Sequence, residues 1–218
     1  MECPSRLILK SFVLKDRAHF TRFFLELESC EIEVVNEVQH YFIGFKLPEE
    51  IAYQLDELRK EWHLDQSHKI VPAAVDLHLT LLYLGAVEER LLTQLLYKLN
   101  ELSGVSAGLN IKLNGISTFG NPSTPRVVYA SIEEELNLAI LQSSIREKCQ
   151  SLFSKIDKKP FVPHVTLAKK WKGQSFSKEM YIEKLLFSVN EFSVYSINPG
   201  QVPSYQVVHS IPLKEITS

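Results

Sequence analysis

Two copies of the tripeptide His-x-Thr are the residues of this chain best suited to chemistry. One copy places His78 and Thr80 in the segment DLHLTLLYLG, and the other places His164 and Thr166 in FVPHVTLAKK. In a β-strand, residues i and i+2 point to the same face. Each copy therefore presents an imidazole and a hydroxyl on one face of a strand, with an apolar residue on the other.

Two imidazoles and two hydroxyls suit the hydrolysis of a phosphodiester. A histidine with an unperturbed pKa near 6.5 changes charge around neutral pH. One neutral ring can take a proton from water while a protonated ring gives a proton to the departing oxygen. The hydroxyls can donate hydrogen bonds to non-bridging oxygens as negative charge develops. The pattern predicts catalytic roles for His78 and His164 and phosphate binding by Thr80 and Thr166.

A single histidine on a strand is more often structural than catalytic, and threonine is a good strand former. The matched pair in similar contexts favours the catalytic interpretation. The remaining histidines have no metal-ligand spacing such as HExxH; they are His19, His40, His63, His68 and His209. We therefore predict no metal, and the lack of a GxxxxGK[ST] phosphate loop argues against an NTP-driven enzyme.

The elements that must position the motifs follow from hydrophobic periodicity and from turn residues. The predicted strands cover about residues 40–46, 75–84, 108–119, 126–132, 161–169, 187–197 and 204–212. Helices are predicted from Pro48 to Trp62, from 88 to 103 and from 133 to 153. In the third helix, Leu136, Ile140, Leu141 and Ile145 have core spacing. Asn114-Gly115 could be a hairpin turn or a bulge.

This order of elements indicates an α+β fold. Each motif strand follows a helix, which suggests two similar lobes that face each other across a groove. Residues 1–39 do not match this rhythm, so we predict an N-terminal extension of unknown role there. Residues 40–218 should form a single bilobal domain.

Composition limits the partners of this 218-residue chain, which has 45% hydrophobic and 23% charged residues. A net charge of −2 argues against a protein that coats long nucleic acid, although an RNA end suits it. Its three widely spaced cysteines indicate no disulfide framework. Because no apolar run approaches the roughly 18–20 residues that span a bilayer, we expect a cytoplasmic protein without membrane contact.

The two motifs in these contexts resemble the signature of the 2H phosphoesterase superfamily. The segments HYFIGFKLPEEI and PRVVYA strengthen the similarity, which is greatest to the RNA 2′,3′-cyclic phosphodiesterases, once called 2′-5′ RNA ligases. This resemblance covers about residues 40–212. It implies a monomeric, bilobal LigT-like fold with two antiparallel sheets, helices outside and a central cleft. The implied activity opens RNA 2′,3′-cyclic phosphates to 2′-phosphates without a cofactor.

The resemblance also implies roles for single residues. His78 matches the proton donor and His164 the proton acceptor, although sequence leaves the reverse assignment open. Lys169 stands where some relatives have arginine, so it keeps the charge but loses the bidentate fork. Further candidates from the sequence are Arg126 for phosphate binding, Phe119 for base stacking and Tyr205 for lining the cleft.

Three alternatives to this activity stay open at the level of sequence. The same motif chemistry could cleave 2′-5′ oligoadenylate or a small cyclic nucleotide. A protein of a different class, an RNA-end binding module without turnover, would not require two proton-transfer groups. Replacing either motif histidine distinguishes an enzyme from a binder.

Overall fold

A computed structural model describes residues 39–154, 156, 159–173 and 180–215. Apart from Gln39, the predicted N-terminal extension lies outside the described residues. The described chain has nine strands and four α-helices. The strands are β1 (His40–Lys46), β2 (His68–Ile70), β3 (His78–Ala86), β4 (Leu109–Asn121), β5 (Thr124–Ile132), β6 (His164–Trp171), β7 (Leu185–Val189), β8 (Glu191–Ile197) and β9 (Tyr205–Pro212). The helices are α1 (Glu49–Glu61), α2 (Leu64–Ser67), α3 (Glu89–Asn100) and α4 (Leu136–Gln150).

The strands form two groups, each built around one motif strand. The His78 half contains β3, β1, β8 and β9 in spatial order, and the His164 half contains β6, β5, β4 and β7, with β2 also paired to β6. All pairs between these strands are antiparallel. The α+β prediction is therefore confirmed.

The two halves are continuous with each other rather than separate sheets. Strands β3 and β6 meet at one residue pair, Leu79 opposite Val165, and both side chains are fully buried. The two predicted sheets are thus two halves of one hydrogen-bonded path. This short junction holds the two motifs next to each other.

Helix α1 shows why the local sequence folds as predicted. Pro48 precedes the helix, where its missing N–H removes no intrahelical hydrogen bond, and Glu49 and Glu50 occupy the positively polarised first turn. Ile51 and Leu55, one turn apart, are buried. This amphipathic stripe packs the helix onto the core.

The prediction for the face of α4 was partly wrong. Leu136 and Ile140 are 75% and 51% exposed. The buried residues of this helix are Leu138, Leu141, Gln142, Ile145 and Cys149. A polar residue lies in the buried stripe and apolar residues lie outside it, which weakens the hydrophobic periodicity. The prediction from spacing therefore combined residues of the buried face with residues of the exposed face.

The predicted strand at 187–197 was also wrong, because this segment is two strands. Strand β7 pairs with β4 in the His164 half, whereas β8 pairs with β1 in the His78 half. Asn190 is the residue between them. The chain therefore passes from one half to the other at a single residue between two strands.

Gly115 marks an irregularity inside β4, not a hairpin. The register with β5 shifts between Leu113 and Ile116, and Gly115 has φ +88°. Glycine adopts this left-handed conformation without the steric cost of a Cβ. The bulge interpretation of Asn114-Gly115 is therefore confirmed.

Among the described residues, no helix combines the length and the apolar character needed to cross a membrane.

Candidate active site

The junction of the two halves brings the two His-x-Thr motifs together. Leu79 lies opposite Val165 in an antiparallel pair. Continuing this register places His78 opposite Thr166 and Thr80 opposite His164. Each imidazole therefore neighbours the hydroxyl of the other motif, and the four side chains share one partly exposed face.

Both imidazoles are held by the same kind of hydrogen bond. Nδ1 of His78 lies 2.7 Å from the carbonyl oxygen of Asp76, and Nδ1 of His164 lies 2.8 Å from that of Val162. A carbonyl oxygen only accepts, so each Nδ1 carries the proton and donates it. In the neutral rings, Nε2 is consequently the atom with a free lone pair for proton transfer.

Burial lowers the pKa of both histidines. Desolvation is the main cause of a pKa of about 4 for His78, and the charges of Lys169 and His164 lower it further, while the Asp76 carbonyl and carboxylate oppose the shift. Desolvation also lowers the pKa of His164, against the effect of its bond to Val162. Both rings are therefore neutral at pH 7 when no anion is bound.

A β-bulge follows each motif at the same position. In β3 the register with β1 shifts between Leu82 and Thr80, so that Leu81 is the extra residue. In β6 the register with β5 shifts between Ala168 and Thr166, so that Leu167 is the extra residue. A bulge reverses the alternation of the residues beyond it.

The bulges decide which side chains join the face of the histidines. Without one, Lys169 would share the buried face of Val165. Because of the bulge, Lys169 pairs with Val127 and lies on the same face as His164 and Thr166. Tyr83 occupies the equivalent position in β3, opposite Phe42.

Two buried polar side chains bind the carbonyl groups of the bulge residues. Nη1 of Arg59 in α1 donates to the Leu167 carbonyl at 3.4 Å and to the Pro72 carbonyl at 2.7 Å. Nε2 of Gln142 in α4 donates to the Leu81 carbonyl at 3.3 Å. A helix that precedes each motif strand in the chain thus supports the motif strand of the other half.

The two predicted basic residues have different locations. Lys169 acts electrostatically on His78, across the junction. Arg126 is exposed and is the extra residue at the register shift where Phe119 pairs with Val127 and Gly120 pairs with Pro125, so strand alternation does not fix its face. Phosphate binding by Arg126 stays a prediction.

Aromatic rings surround His78. The Phe42 and Tyr205 rings lie 4.6 Å and 4.8 Å from the imidazole, measured between ring centroids. Tyr195 stacks on Phe42 at 4.9 Å. Tyr205 also lines an open cavity of about 70 Å³ next to His78, and its contact with a substrate stays a prediction.

The rings around His164 are packed against each other. Phe119 stacks on Tyr129 at 4.3 Å, and both rings lie edge-on to the imidazole, at 5.0 Å and 5.2 Å. Tyr129 is 7% exposed. One face of the Phe119 ring is therefore already covered, and base stacking by Phe119 stays a prediction.

Sequence analysis did not select several residues that lie beside the histidines, among them Phe42, Asp76, Tyr129 and Lys46, which is opposite His78 in β1. Phe42 and Lys46 were within a predicted strand, where alternation puts them on one face, but nothing indicated that this strand pairs with the first motif. Asp76 is two residues before His78, so the backbone bond was within reach of a local argument. Tyr129 could be identified as a neighbour of the motif only from its pairing with Thr166.

Comparisons with known proteins identify the family of this chain. The family model of the 2′-5′ RNA ligase superfamily matches residues 47–200. An RNA 2′,3′-cyclic phosphodiesterase of Geobacillus stearothermophilus is 29% identical over 80% of this chain, which spans 57% of that relative's length. Another of Bacillus subtilis is also 29% identical, over 80% of this chain and 96% of the relative.

A solved structure supports the fold. The crystal structure of E. coli LigT complexed with 3′-AMP matches with a TM-score of 0.67 and 22% identity, covering 80% of this chain and 98% of that one. At this identity, the match shows the fold alone. Since the family model covers both motifs and most of the sheet, the chain belongs to the 2′-5′ RNA ligase superfamily, the phosphoesterase superfamily that its two His-x-Thr motifs indicated.

Proposed function

We propose that this protein hydrolyses RNA 2′,3′-cyclic phosphate ends to 2′-phosphates by proton transfer between two histidines, without a metal ion. The observation that carries the proposal is the pair of equivalent imidazoles at one strand junction, each with Nδ1 bonded to a backbone carbonyl and each opposite a threonine. The names of the relatives support the choice of substrate.

In the proposed reaction, a water oxygen attacks phosphorus and the bond from phosphorus to the 3′-oxygen breaks. Nε2 of His164 takes a proton from the attacking water, and Nε2 of His78 gives a proton to the departing 3′-oxygen. The two rings thereby exchange protonation states. Exchange with solvent restores them, so the step consumes one water and needs no other reactant.

The anionic substrate provides the conditions for this chemistry. In the free protein, the pKa of each histidine lies below its ordinary value, so neither ring holds the required proton at pH 7. A phosphodiester beside the rings favours the imidazolium form. Binding of the substrate anion therefore promotes uptake of the proton that is later given to the leaving oxygen.

Three groups are proposed to bind the non-bridging oxygens. Thr80 and Thr166 share the face of the two rings, and hydroxyl donors there stabilise the developing negative charge. Lys169 contributes the cation, since its charge already acts on His78. A lysine binds phosphate as a point charge, whereas an arginine would offer a bidentate fork.

The test is incubation of the purified protein, in EDTA, with a short RNA that ends in a 2′,3′-cyclic phosphate. The 2′-phosphate and 3′-phosphate products are resolved. We expect the 2′-phosphate, formed by the wild type and lost in both His78→Ala and His164→Ala.

Three other outcomes would change the proposal. Loss of activity in EDTA that returns with added metal would contradict the metal-free mechanism. A 3′-phosphate product would show that the 2′-oxygen, and not the 3′-oxygen, is the leaving group. Without turnover of this RNA, the substrate would instead be 2′-5′ oligoadenylate or a small cyclic nucleotide, and binding without turnover of any of these would identify an RNA-end binding module.

A further inference from the structure

We propose that Lys46 and the two cavities beside it bind the part of the RNA on the 5′ side of the cyclic phosphate. The protein would then act on ends of at least two nucleotides in preference to single nucleoside cyclic phosphates. This inference rests on the proposed function and specifies the substrate of the same site.

The first cavity suits the terminal nucleobase. It has a volume of about 70 Å³, is open to solvent, and is lined by His78 and aromatic rings that include Tyr205. Val75 and Val207 also line this cavity, and they are 43% and 56% exposed. Aromatic and apolar surface of this kind binds bases by stacking.

The position of this cavity agrees with the proposed direction of attack. In an in-line displacement, the attacking water and the leaving oxygen lie on opposite sides of phosphorus. The terminal nucleoside is attached to the leaving oxygen, so it lies on the side of the proton donor. A base cavity beside His78 therefore supports His78 as the donor, with His164 on the side of the water.

Lys46 lies one strand away from His78 and is the cation that lines both cavities. The two residues are opposite each other in the β1–β3 pair, on the same face. Its side chain is exposed, and none of the ion pairs among the described residues involves it. A phosphate can therefore reach this ammonium group without displacing a carboxylate.

Lys46 and Lys169 lie on different sides of the two motifs. Lys169 shares the face of His164 and Thr166, and its charge acts on His78 across the junction. Lys46 is on the other side of His78, in β1, and lines both cavities. Lys169 therefore suits the cyclic phosphate, and Lys46 suits the next phosphate along the chain.

The second cavity continues from the first one. It has a volume of about 240 Å³ and shares Lys46 and Tyr195 with the first cavity. Ser188, Asn190 and Ser193 give it polar walls, which suit the ribose hydroxyls and base edges of a penultimate nucleotide. The aromatic cavity, the Lys46 cation and the polar cavity therefore follow one another along the surface. This order matches the terminal base, the next phosphate and the penultimate nucleoside of an RNA chain.

Each cavity is also lined by one carboxylate, which already accepts a hydrogen bond from another group of the protein. Oδ1 of Asp76 accepts from the backbone N–H of Ser204 at 2.8 Å, and Oε1 of Glu191 accepts from Oγ of Ser210 at 3.3 Å. Asp76 is buried, whereas Glu191 is exposed. Lys46 lines both cavities, where it can bind the phosphate.

The experiment compares two substrates that end in the same nucleoside 2′,3′-cyclic phosphate, one a mononucleotide and the other a dinucleotide. We expect wild-type kcat/KM to be at least about tenfold higher for the dinucleotide, because one added hydrogen-bonded charge pair is worth about that much. Lys46→Met should lose about 10- to 100-fold on the dinucleotide and little on the mononucleotide. Its logarithmic salt slope should fall by about 0.7 for the dinucleotide only.

The matched control is Lys98→Met, since Lys98 lies on α3 and lines neither cavity. This variant should leave kcat/KM unchanged for both substrates. Equal wild-type activity on the two substrates, or an equal loss on both in Lys46→Met, would overturn this inference and leave the proposed function intact. Failure of the wild type on both cyclic phosphates would instead reject the proposed function.

Discussion

The His78 half and the His164 half carry the same motif, yet they surround it differently. In both halves Nδ1 of the histidine donates to the carbonyl two residues earlier, and a bulge follows the threonine. A buried side chain from a helix, Gln142 or Arg59, binds the carbonyl of each bulge residue. The repeated features are the ones that orient the imidazoles.

The two halves differ at the positions that face the substrate. Five residues after the histidine, one half has Tyr83 and the other has Lys169. Opposite the threonine, one half has Gly44 and the other has Tyr129. A Cβ at Gly44 would lie 2.5 Å from the Leu79 carbonyl oxygen.

This comparison separates two requirements of the proposed reaction. Proton transfer between two histidines needs two similarly oriented rings, so the halves agree where they hold the histidines. The proposed reaction is asymmetric about phosphorus, with a nucleoside on one side and the attacking water on the other. The halves therefore differ where they meet it, with an open cavity beside His78 and packed aromatic rings beside His164.

The largest expected effect tests whether the two histidines act as one unit. His78→Ala and His164→Ala should each reduce kcat by about 10² to 10⁴, the usual contribution of a general acid or base. The double variant should lose less than the product of the two single losses, because the groups act in one step. Single-turnover rates measure all three variants, and multiplicative losses would show that the rings work independently.

The next largest effect concerns Lys169 and Tyr83, which lie two residues after the bulge residues Leu167 and Leu81. Lys169→Met should reduce kcat/KM by about 10- to 100-fold, since a charged hydrogen-bond donor to phosphate is removed. Because the Lys169 charge lowers the pKa of His78, the same variant should raise that pKa. Tyr83→Phe should change neither, and NMR titration of the histidine ring protons measures the pKa in both variants.

An unchanged His78 pKa in Lys169→Met would place the ammonium outside the site. A loss of activity in Tyr83→Phe as large as in Lys169→Met would contradict the asymmetry. Tyr83 is the suitable comparison because its hydroxyl is bonded at the surface to Nδ1 of His40, at 2.8 Å.

The pH dependence should show that both rings have lowered pKa values. The active form holds one proton on the pair, so it is most populated between the two pKa values. Since both lie below the ordinary value of about 6.5 in the free protein, kcat/KM should peak on the acidic side of that value. Above the peak, it should fall about tenfold per pH unit.

The dependence of kcat/KM on pH, measured with a cyclic-phosphate substrate, checks whether the maximum lies on the acidic side. A maximum above pH 7 would mean that the rings are better solvated than their burial indicates. Lys169→Met supplies an internal control, because raising the pKa of His78 should move the peak towards higher pH.

The smallest effect tests the support of the bulge in the His78 half. Gln142→Leu leaves the Leu81 carbonyl without its side-chain donor, which should lower the free energy of unfolding by about 1–3 kcal/mol. Urea denaturation measures it. Gln94→Leu on α3, where the side chain is exposed, is the control. Equal stabilities of the two variants would show that this hydrogen bond contributes nothing.

Local sequence signals were sufficient for most elements. The strand at His40–Lys46 was predicted with its observed ends, and α1 was predicted to within one residue at either end. Turn residues, helix-terminal charges and short-range periodicity determine such elements, and all of these lie within a few residues of each other. The prediction failed for 187–197, where two runs of strand-forming residues are separated by Asn190 alone and pair with different partners.

The sequence by itself determined the superfamily of this protein and predicted its chemistry, because the paired His-x-Thr motifs identify the candidate groups for proton transfer and phosphate binding. Only the tertiary structure decided how these groups are arranged. The Leu79–Val165 pair joins the motifs, and the bulge at Leu167 turns Lys169 to their face. Strand partners and bulges depend on contacts between residues far apart in the chain, and no local pattern contains that information.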